Sequence, residues 1–360
     1  MILNLIMSKV VILSGAVQSG KTTALLNHFS PKSNIGGFIC PDVNGQRMIY
    51  ILNERRVVPF QIVNKENEIS IGKFTFDKNV FNKACDSLVD KSTLDNEFVI
   101  VDEVGPLELK EQGYFHSLKI LLENWTNKRE GTLILVVREH LVNEVISKFN
   151  LKNTSIIKKE DLNFELNVDN NLHALILAGG ESSRMKADKY LLKYDGEEQY
   201  KRLHAIFNEM GLPVFLSCNE KQYYNENVFI DKIIDHSDFA DAGPLTGILS
   251  AFEKLQSDLM VVGCDYPLLS IFQLDVLKQF ARYGFDEVAF VKRDRPDNVE
   301  PLICYLSFQS LTQLKKFYSG GGRSLNKYLQ QVNPLMIELS DDTFLKSFDT
   351  PEDYHSYKLL

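Results

Sequence analysis

The sequence predicts an α/β protein of two domains, and three observations carry that prediction. Its 360 residues exceed what one hydrophobic core usually organises, since single domains run to roughly 100–200 residues. Short, continuous apolar runs recur along the chain, each ending in a glycine, proline or asparagine turn and alternating with stretches of helical spacing. That alternation is expected of a mostly parallel sheet whose strands are buried on both faces. Between Lys152 and Asn171 the pattern yields to polar, charged text, and it restarts at Leu172. The boundary is therefore expected near residue 165, with domains over 1–165 and 166–360, each a sheet between two layers of helices.

Val10 to Leu13 is the first such run; it meets Gly15, and Thr22 to Phe29 follows as an amphipathic helix. Phe98 to Val101 and Leu133 to Val137 read as further buried strands, with a helix over Tyr114 to Trp125 between them. In the second half Leu175 to Leu177, Val214 to Ser217 and Leu259 to Gly263 repeat the strand logic.

Composition narrows the functional classes. A content of 44% hydrophobic and 24% charged residues fills two ordinary cores. The net charge of −8 argues against nucleic acid as a partner, because such binders carry a basic excess. Cys40, Cys85, Cys218, Cys264 and Cys304 are scattered and never spaced C-x-x-C, so neither disulfides nor a zinc site is expected and a reducing, cytoplasmic setting fits. Of the seven histidines none has another at i+3 to i+5, which leaves no metal set. Met1 to Met7 is apolar but short and lacks a cationic flank, so Met7 could be the working start, and no membrane span is expected.

Two segments carry chemistry. Gly15-Ala16-Val17-Gln18-Ser19-Gly20-Lys21-Thr22, continued by Thr23, satisfies G-x-x-x-x-G-K-[ST] between a strand and a helix, the context that a phosphate-cradling P-loop needs. Backbone N–H groups turn inward around the phosphates, Lys21 reaches the β and γ oxygens, and Thr22 offers its hydroxyl to Mg²⁺. Asp102 and Glu103 end the buried run Phe98 to Val101. Asp102 is expected to hold the metal through water, and Glu103 to orient or deprotonate the attacking water. The plain alternative is two solvated acids at a strand end.

Here the chain resembles the thermophile-type nucleoside triphosphatases. Gly36-Gly37-Phe38 is similar to that family's G-G-F segment and Gly45-Gln46-Arg47 to its G-x-R. Gly72-Lys73-Phe74-Thr75-Phe76-Asp77 is similar to its G-x-Y-x-F-D, and Val101 to Leu109 to its D-E-I-G-x-M-E. The resemblance covers residues 9 to about 149 and implies a P-loop fold that slowly hydrolyses nucleoside triphosphates, ATP or GTP, with little base preference. Arg138 falls where that family often carries basic residues and is a candidate phosphate contact.

The second segment, Leu177-Ala178-Gly179-Gly180-Glu181-Ser182-Ser183-Arg184-Met185-Lys186-Ala187-Asp188-Lys189, follows a buried strand directly. Its glycines let the backbone approach a base and phosphates, and Arg184 and Lys189 put two cations on one loop. The run resembles the L-A-G-G-x-S-x-R-M-G-x-D-K signature of molybdenum cofactor guanylyltransferases. Further matches come in family order: Asn219, Asp235, Gly243 to Ile248, Gly263 to Pro267, Glu300 to Leu302 and Asp349 to Asp353, so the likeness spans residues 172–356.

That resemblance implies a Rossmann-like (GT-A-like) nucleotidyltransferase fold that moves a nucleotidyl group, GMP from GTP, to molybdopterin or another phosphorylated acceptor with release of pyrophosphate. It implies that Asp265 holds Mg²⁺, that Lys189 and Arg184 offset charge on the pyrophosphate, that Leu177 to Gly180 read the base, and that Asn219 and Asp235 lie near base and ribose. Protein partners could include molybdoenzymes or other cofactor-synthesis proteins. Lys186 stands where the family usually has glycine, and Asp349 where it usually has asparagine. Asp349 is either a second metal ligand or part of a helix start in which Asp349 or Thr350 is the cap and Pro351 stands in the first turn. A cytidylyl or sugar-phosphate transferase, and a first domain that serves as a nucleotide-gated adaptor, stay open as alternatives.

Overall fold

The structure is a computed structural model; it describes residues 10–29, 34–62, 68–71, 74–126, 130–162, 171–178 and 188–357. Gly72, Lys73, Gly179, Gly180, Arg184, Lys186, the Met1 to Met7 segment and the boundary expected near residue 165 lie outside the described residues. The chain forms two compact units, Met1–Asn167 and Val168–Leu360.

In the first unit five strands run parallel, in the spatial order Thr154–Ile157, Val10–Gly15, Thr132–Arg138, Phe98–Val104, Ile35–Ile39. Gln46–Ile51 and Arg56–Pro59 extend the sheet antiparallel. Alternate strand residues enter opposite cores, which explains the unbroken apolar runs. Ile12, Val99, Val101, Leu133 and Leu135 pack with Phe81, Leu88, Leu118 and Leu121 from the helices Lys78–Val89 and Phe115–Thr126. Val11, Leu13, Ile100 and Val136 face the other way and are equally buried.

One glycine in this sheet has no substitute. Gly37 pairs with Ile100 at φ +85°, and a Cβ there would lie 2.2 Å from the Ile100 carbonyl oxygen. The G-G-F segment is thus a device for close strand approach.

The second unit orders its strands Leu335–Ile337, Glu287–Lys292, Arg295–Leu306, Asp258–Gly263, Leu172–Leu177, Val214–Cys218, Asp231–Ile234. Arg295–Leu306 runs antiparallel to both neighbours, and the remaining pairs are parallel. The helices Pro244–Leu255, Phe308–Ser319 and Leu325–Val332 cover one face. They pack Leu245, Ile248, Leu249, Leu311 and Leu329 against Leu175, Val261 and Ala289 of the strands. On the opposite face Ala174, Ile176, Met260, Val262 and Phe290 are buried as well, and the helices Gln199–Glu209 and Ile271–Arg282 pack against these strands. Among the described residues no helix is long and apolar enough to cross a membrane.

Candidate functional site

Each unit gathers polar side chains at the C-terminal ends of its parallel strands, where loops leave the sheet and backbone groups are free to meet a ligand. In the first unit the strand Val10–Gly15 hands over to the helix Lys21–Phe29 through a turn in which Gln18 has φ 58° and Gly20 φ 85°. Lys21 is 7% exposed and folds back into this turn, its Nζ donating to the carbonyl oxygens of Ala16 at 2.7 Å and Gly15 at 3.1 Å. Those oxygens stand in for the anion that an ammonium in a cradle of N–H groups would otherwise meet. Val17 and Thr23 are exposed, and the Ser19 hydroxyl lies 3.4 Å from Lys21 Nζ.

Asp102 is brought to the same place from the strand Phe98–Val104. The Thr22 hydroxyl donates to Asp102 Oδ2 at 2.9 Å, and the Cys40 N–H donates to the same oxygen at 3.1 Å. Burial pushes the Asp102 carboxyl up to about 6, against the two hydrogen bonds that hold it down and with the Glu103 charge adding to the rise. The Asp102–Glu103 peptide is cis. Glu103 accepts a hydrogen bond from Arg138 Nε, so Arg138 meets an acid here. Glu108, 2% exposed, accepts from the Gly105 N–H at 2.8 Å and the Tyr114 N–H at 3.0 Å, which ties down the turn after the acid pair. A cavity of about 440 Å³ opens beside these groups.

In the second unit a cavity of about 420 Å³ is lined by Leu177, Ala178, Lys189, Asp235, Gly247 and Asp265, among others. Lys189 Nζ donates to Asp349 Oδ1 and lies 3.7 Å from Asp265 Oδ2. The Ser347 hydroxyl lies 2.6 Å from Asp349 Oδ2 and 3.2 Å from Asp265 Oδ2, and the Phe348 N–H donates to the Asp265 carbonyl oxygen at 2.9 Å. Burial pushes Asp265 up to about 6; the Lys189 ammonium opposes that rise and the Asp349 charge adds to it. Burial works in the same direction on Asp349, but hydrogen bonds from Lys189 and Ser347 outweigh it and hold this carboxyl below its ordinary 3.8. Asp235 accepts from the Ser217 hydroxyl at 2.9 Å, and burial raises its carboxyl.

The capping alternative for Asp349 falls to its neighbours. Asp353 Oδ2 accepts from the Thr350 N–H at 3.0 Å and the Asp349 N–H at 3.2 Å, and the Asp353 N–H donates to Thr350 Oγ1 at 3.2 Å. Thr350 and Asp353 thus complete the cap of the helix Pro351–Tyr357, and the Asp349 side chain is left to Lys189 and Ser347. Asn219 does not line the cavity: its Oδ1 caps the helix Glu220–Tyr223 by accepting from the Gln222 N–H at 2.9 Å. Among the described residues no group of three or more His, Cys, Asp or Glu could hold a metal.

Several contributors are not singled out by the sequence. Ser347 bridges two carboxylates, and its one signal is the alternation Ser347, Phe348, Asp349, in which the buried Phe348 turns its neighbours to the other side. Ser217 orients Asp235, and Lys159 lies beside the P-loop, where a Cβ on Gly20 would be 3.6 Å from its Nζ. No spacing in the sequence points to these last two.

The fold and both sites define a nucleotide-handling enzyme of two α/β units. Residues 10–166 match the family model described as NTPase, and residues 174–333 match that of the MobA-like NTP transferase domain. The chain is a nucleotidyltransferase fused to a nucleoside-triphosphatase domain. It is 29% identical over 189 residues to the "Probable molybdenum cofactor guanylyltransferase" of Nostoc sp., covering 51% of this chain and 89% of that one. To the "Molybdenum cofactor guanylyltransferase" of Pseudomonas syringae pv. tomato it is 28% identical over 187 residues, covering 49% and 88%. The crystal structure of THEP1 from Aquifex aeolicus is similar at 17% identity and a TM-score of 0.32, covering 41% of this chain and 88% of that one.

Proposed function

We propose that the second unit transfers the GMP moiety of GTP to the terminal phosphate of molybdopterin, releasing pyrophosphate, and that the first unit hydrolyses nucleoside triphosphates, with the cytoplasm as the setting. The observation that carries the transfer reading is the convergence of Asp265 and Asp349, far apart in sequence, on the ammonium of Lys189, which together with Asp265 lines the cavity. An ammonium between two carboxylates marks a place fit for a hard cation, and Asp265 and Asp349 are the residues that would hold Mg²⁺. Bound there, the ion would supply charge neutralisation between two polyanions. An oxygen of the acceptor phosphate bonds to the α-phosphorus of GTP while the bond to the pyrophosphate oxygen breaks. Lys189, released from the carboxylates, offsets the charge that leaves, and Arg184 is proposed to join it. Leu177 to Gly180 are proposed as the backbone wall for the base, with Asp235, held by Ser217, toward the ribose.

In the first unit Thr22 and Asp102, already joined by a hydrogen bond, supply oxygen ligands of the same hard type. Lys21 exchanges its two carbonyl partners for β and γ oxygens, and Glu103 takes the proton of the attacking water. Glu103→Gln should then keep nucleotide binding but slow hydrolysis by about 10²-fold or more; unchanged turnover would return Glu103 to a solvated acid and favour a nucleotide-gated adaptor.

The transfer reading is tested by incubating the full chain with molybdopterin, Mg²⁺ and either α-labelled GTP or α-labelled CTP. Labelled pterin dinucleotide and pyrophosphate should form together, with GTP preferred. Preference for CTP would make it a cytidylyltransferase, and no product with either would overturn the acceptor.

A further inference from the structure

The cavity beside the first unit's acid pair is larger than hydrolysis needs. A water attacking the γ-phosphate occupies only about 30 Å³. The cavity measures about 440 Å³, a size that holds an organic ligand. Of the P-loop only Gln18 lines it; Asp42, Arg47, Asp102, Glu103, Glu108 and Arg138 bring charged groups to its wall. It therefore lies beside the place of the γ-phosphate, since Lys21 of such a loop reaches the β and γ oxygens. Part of the same wall is aromatic. Phe60, Phe76, Phe81 and Tyr114 line it, with Phe81 and Tyr114 stacked at 4.5 Å and 4° and Phe60 and Phe76 at 4.7 Å. Tyr114, 5% exposed, buries its hydroxyl without a hydrogen-bond partner among the described residues. An orphan hydroxyl packed behind the wall of a pocket is a cost in the free protein, and a polar ligand atom that parts the rings around it would relieve that cost.

We propose that this cavity is an acceptor site and that the first unit phosphorylates a flat, ring-bearing alcohol of about nucleoside size, with hydrolysis as the leak that occurs when water takes the acceptor's place. The inference rests on the reading of the first unit as a nucleoside triphosphatase. The acceptor hydroxyl oxygen bonds to the γ-phosphorus, the bond from that phosphorus to the β–γ bridging oxygen breaks, and the nucleoside diphosphate leaves with the electron pair. The hydroxyl proton passes to Glu103. The ring lies against the aromatic part of the wall and parts its side chains to meet the Tyr114 hydroxyl, and Arg138 turns from Glu103 to the transferring phosphoryl group.

The test uses the full chain, Mg²⁺ and γ-labelled ATP with adenosine, guanosine, uridine, cytidine, pyridoxine or thiamine in turn, and reads the ratio of labelled organic phosphate to inorganic phosphate. At least one alcohol should become labelled, and Tyr114→Phe should lower that ratio about fivefold, the scale of one lost hydrogen bond. Because a ratio does not depend on how much enzyme is folded, partial misfolding of the variant leaves it readable. Inorganic phosphate alone with all six, while ATP turnover continues, overturns the proposal. So does a nucleoside that raises the KM for ATP without being labelled, for then the cavity seats the base of the triphosphate itself. Absence of both ATP binding and turnover would instead remove the triphosphatase reading, and the inference with it.

Discussion

Asp349 illustrates how a residue's role is decided by its neighbours. Thr350 and Asp353 satisfy the first N–H groups of the last helix, which leaves the Asp349 carboxylate on Lys189 and Ser347. Asp349→Asn should therefore raise the Mg²⁺ concentration for half-maximal transfer roughly tenfold, the scale of a weakened metal site. Stability should change by less than about 1 kcal/mol, because the cap survives. Titrating Mg²⁺ alongside a melting curve checks both, and an unchanged Mg²⁺ requirement would leave Asp349 as an anchor for Lys189 alone.

Between the strand Phe98–Val104 and the helix Phe115–Thr126, the turn that follows the acid pair hangs on Glu108, whose two oxygens each take one backbone N–H. Glu108→Gln leaves an amide with one acceptor oxygen for two donors, which should cost about 1–3 kcal/mol in unfolding free energy. Burial raises the Glu108 carboxyl above its ordinary 4.5, the hydrogen bonds from Gly105 and Tyr114 opposing. The folded chain thus holds this proton more tightly than the unfolded one, so the group's contribution is complete below 4.5 and is lost as pH rises through the folded value. Urea midpoints should show the advantage of glutamate over glutamine largest in acid and narrowing toward neutrality. A gap that widened with pH would contradict the assignment.

Taken as a whole, the molecule gives each unit its own core, its own cavity and its own cations. With a net charge of −8, phosphate binding must come from such local cations rather than from a general positive field. Lys21→Ala should abolish triphosphate hydrolysis and leave nucleotidyl transfer intact, since each unit carries its own phosphate-binding residues and sites without shared partners act independently. Parallel assays on one preparation decide it, and equal loss of both activities would mean that the sites are coupled.

The features legible in the residues alone are local and periodic. The strand, glycine turn and helix from Val10 to Phe29, the acids ending the run at Val101 and the restart at Leu172 are written in consecutive residues, because backbone geometry and burial impose their periods directly. Both family resemblances also rest on contiguous motifs. Convergence, by contrast, is open to the sequence for Asp349 only as one alternative drawn from the resemblance, and for the rest it came with the folded chain: Ser347 joining Asp349 to Asp265, Arg138 reaching Glu103, Asn219 spent on a helix cap, and four aromatic rings lining a cavity beside the P-loop. Such pairs are set by how sheet order and packing bring distant strand ends together, and no periodicity along the chain encodes that distance.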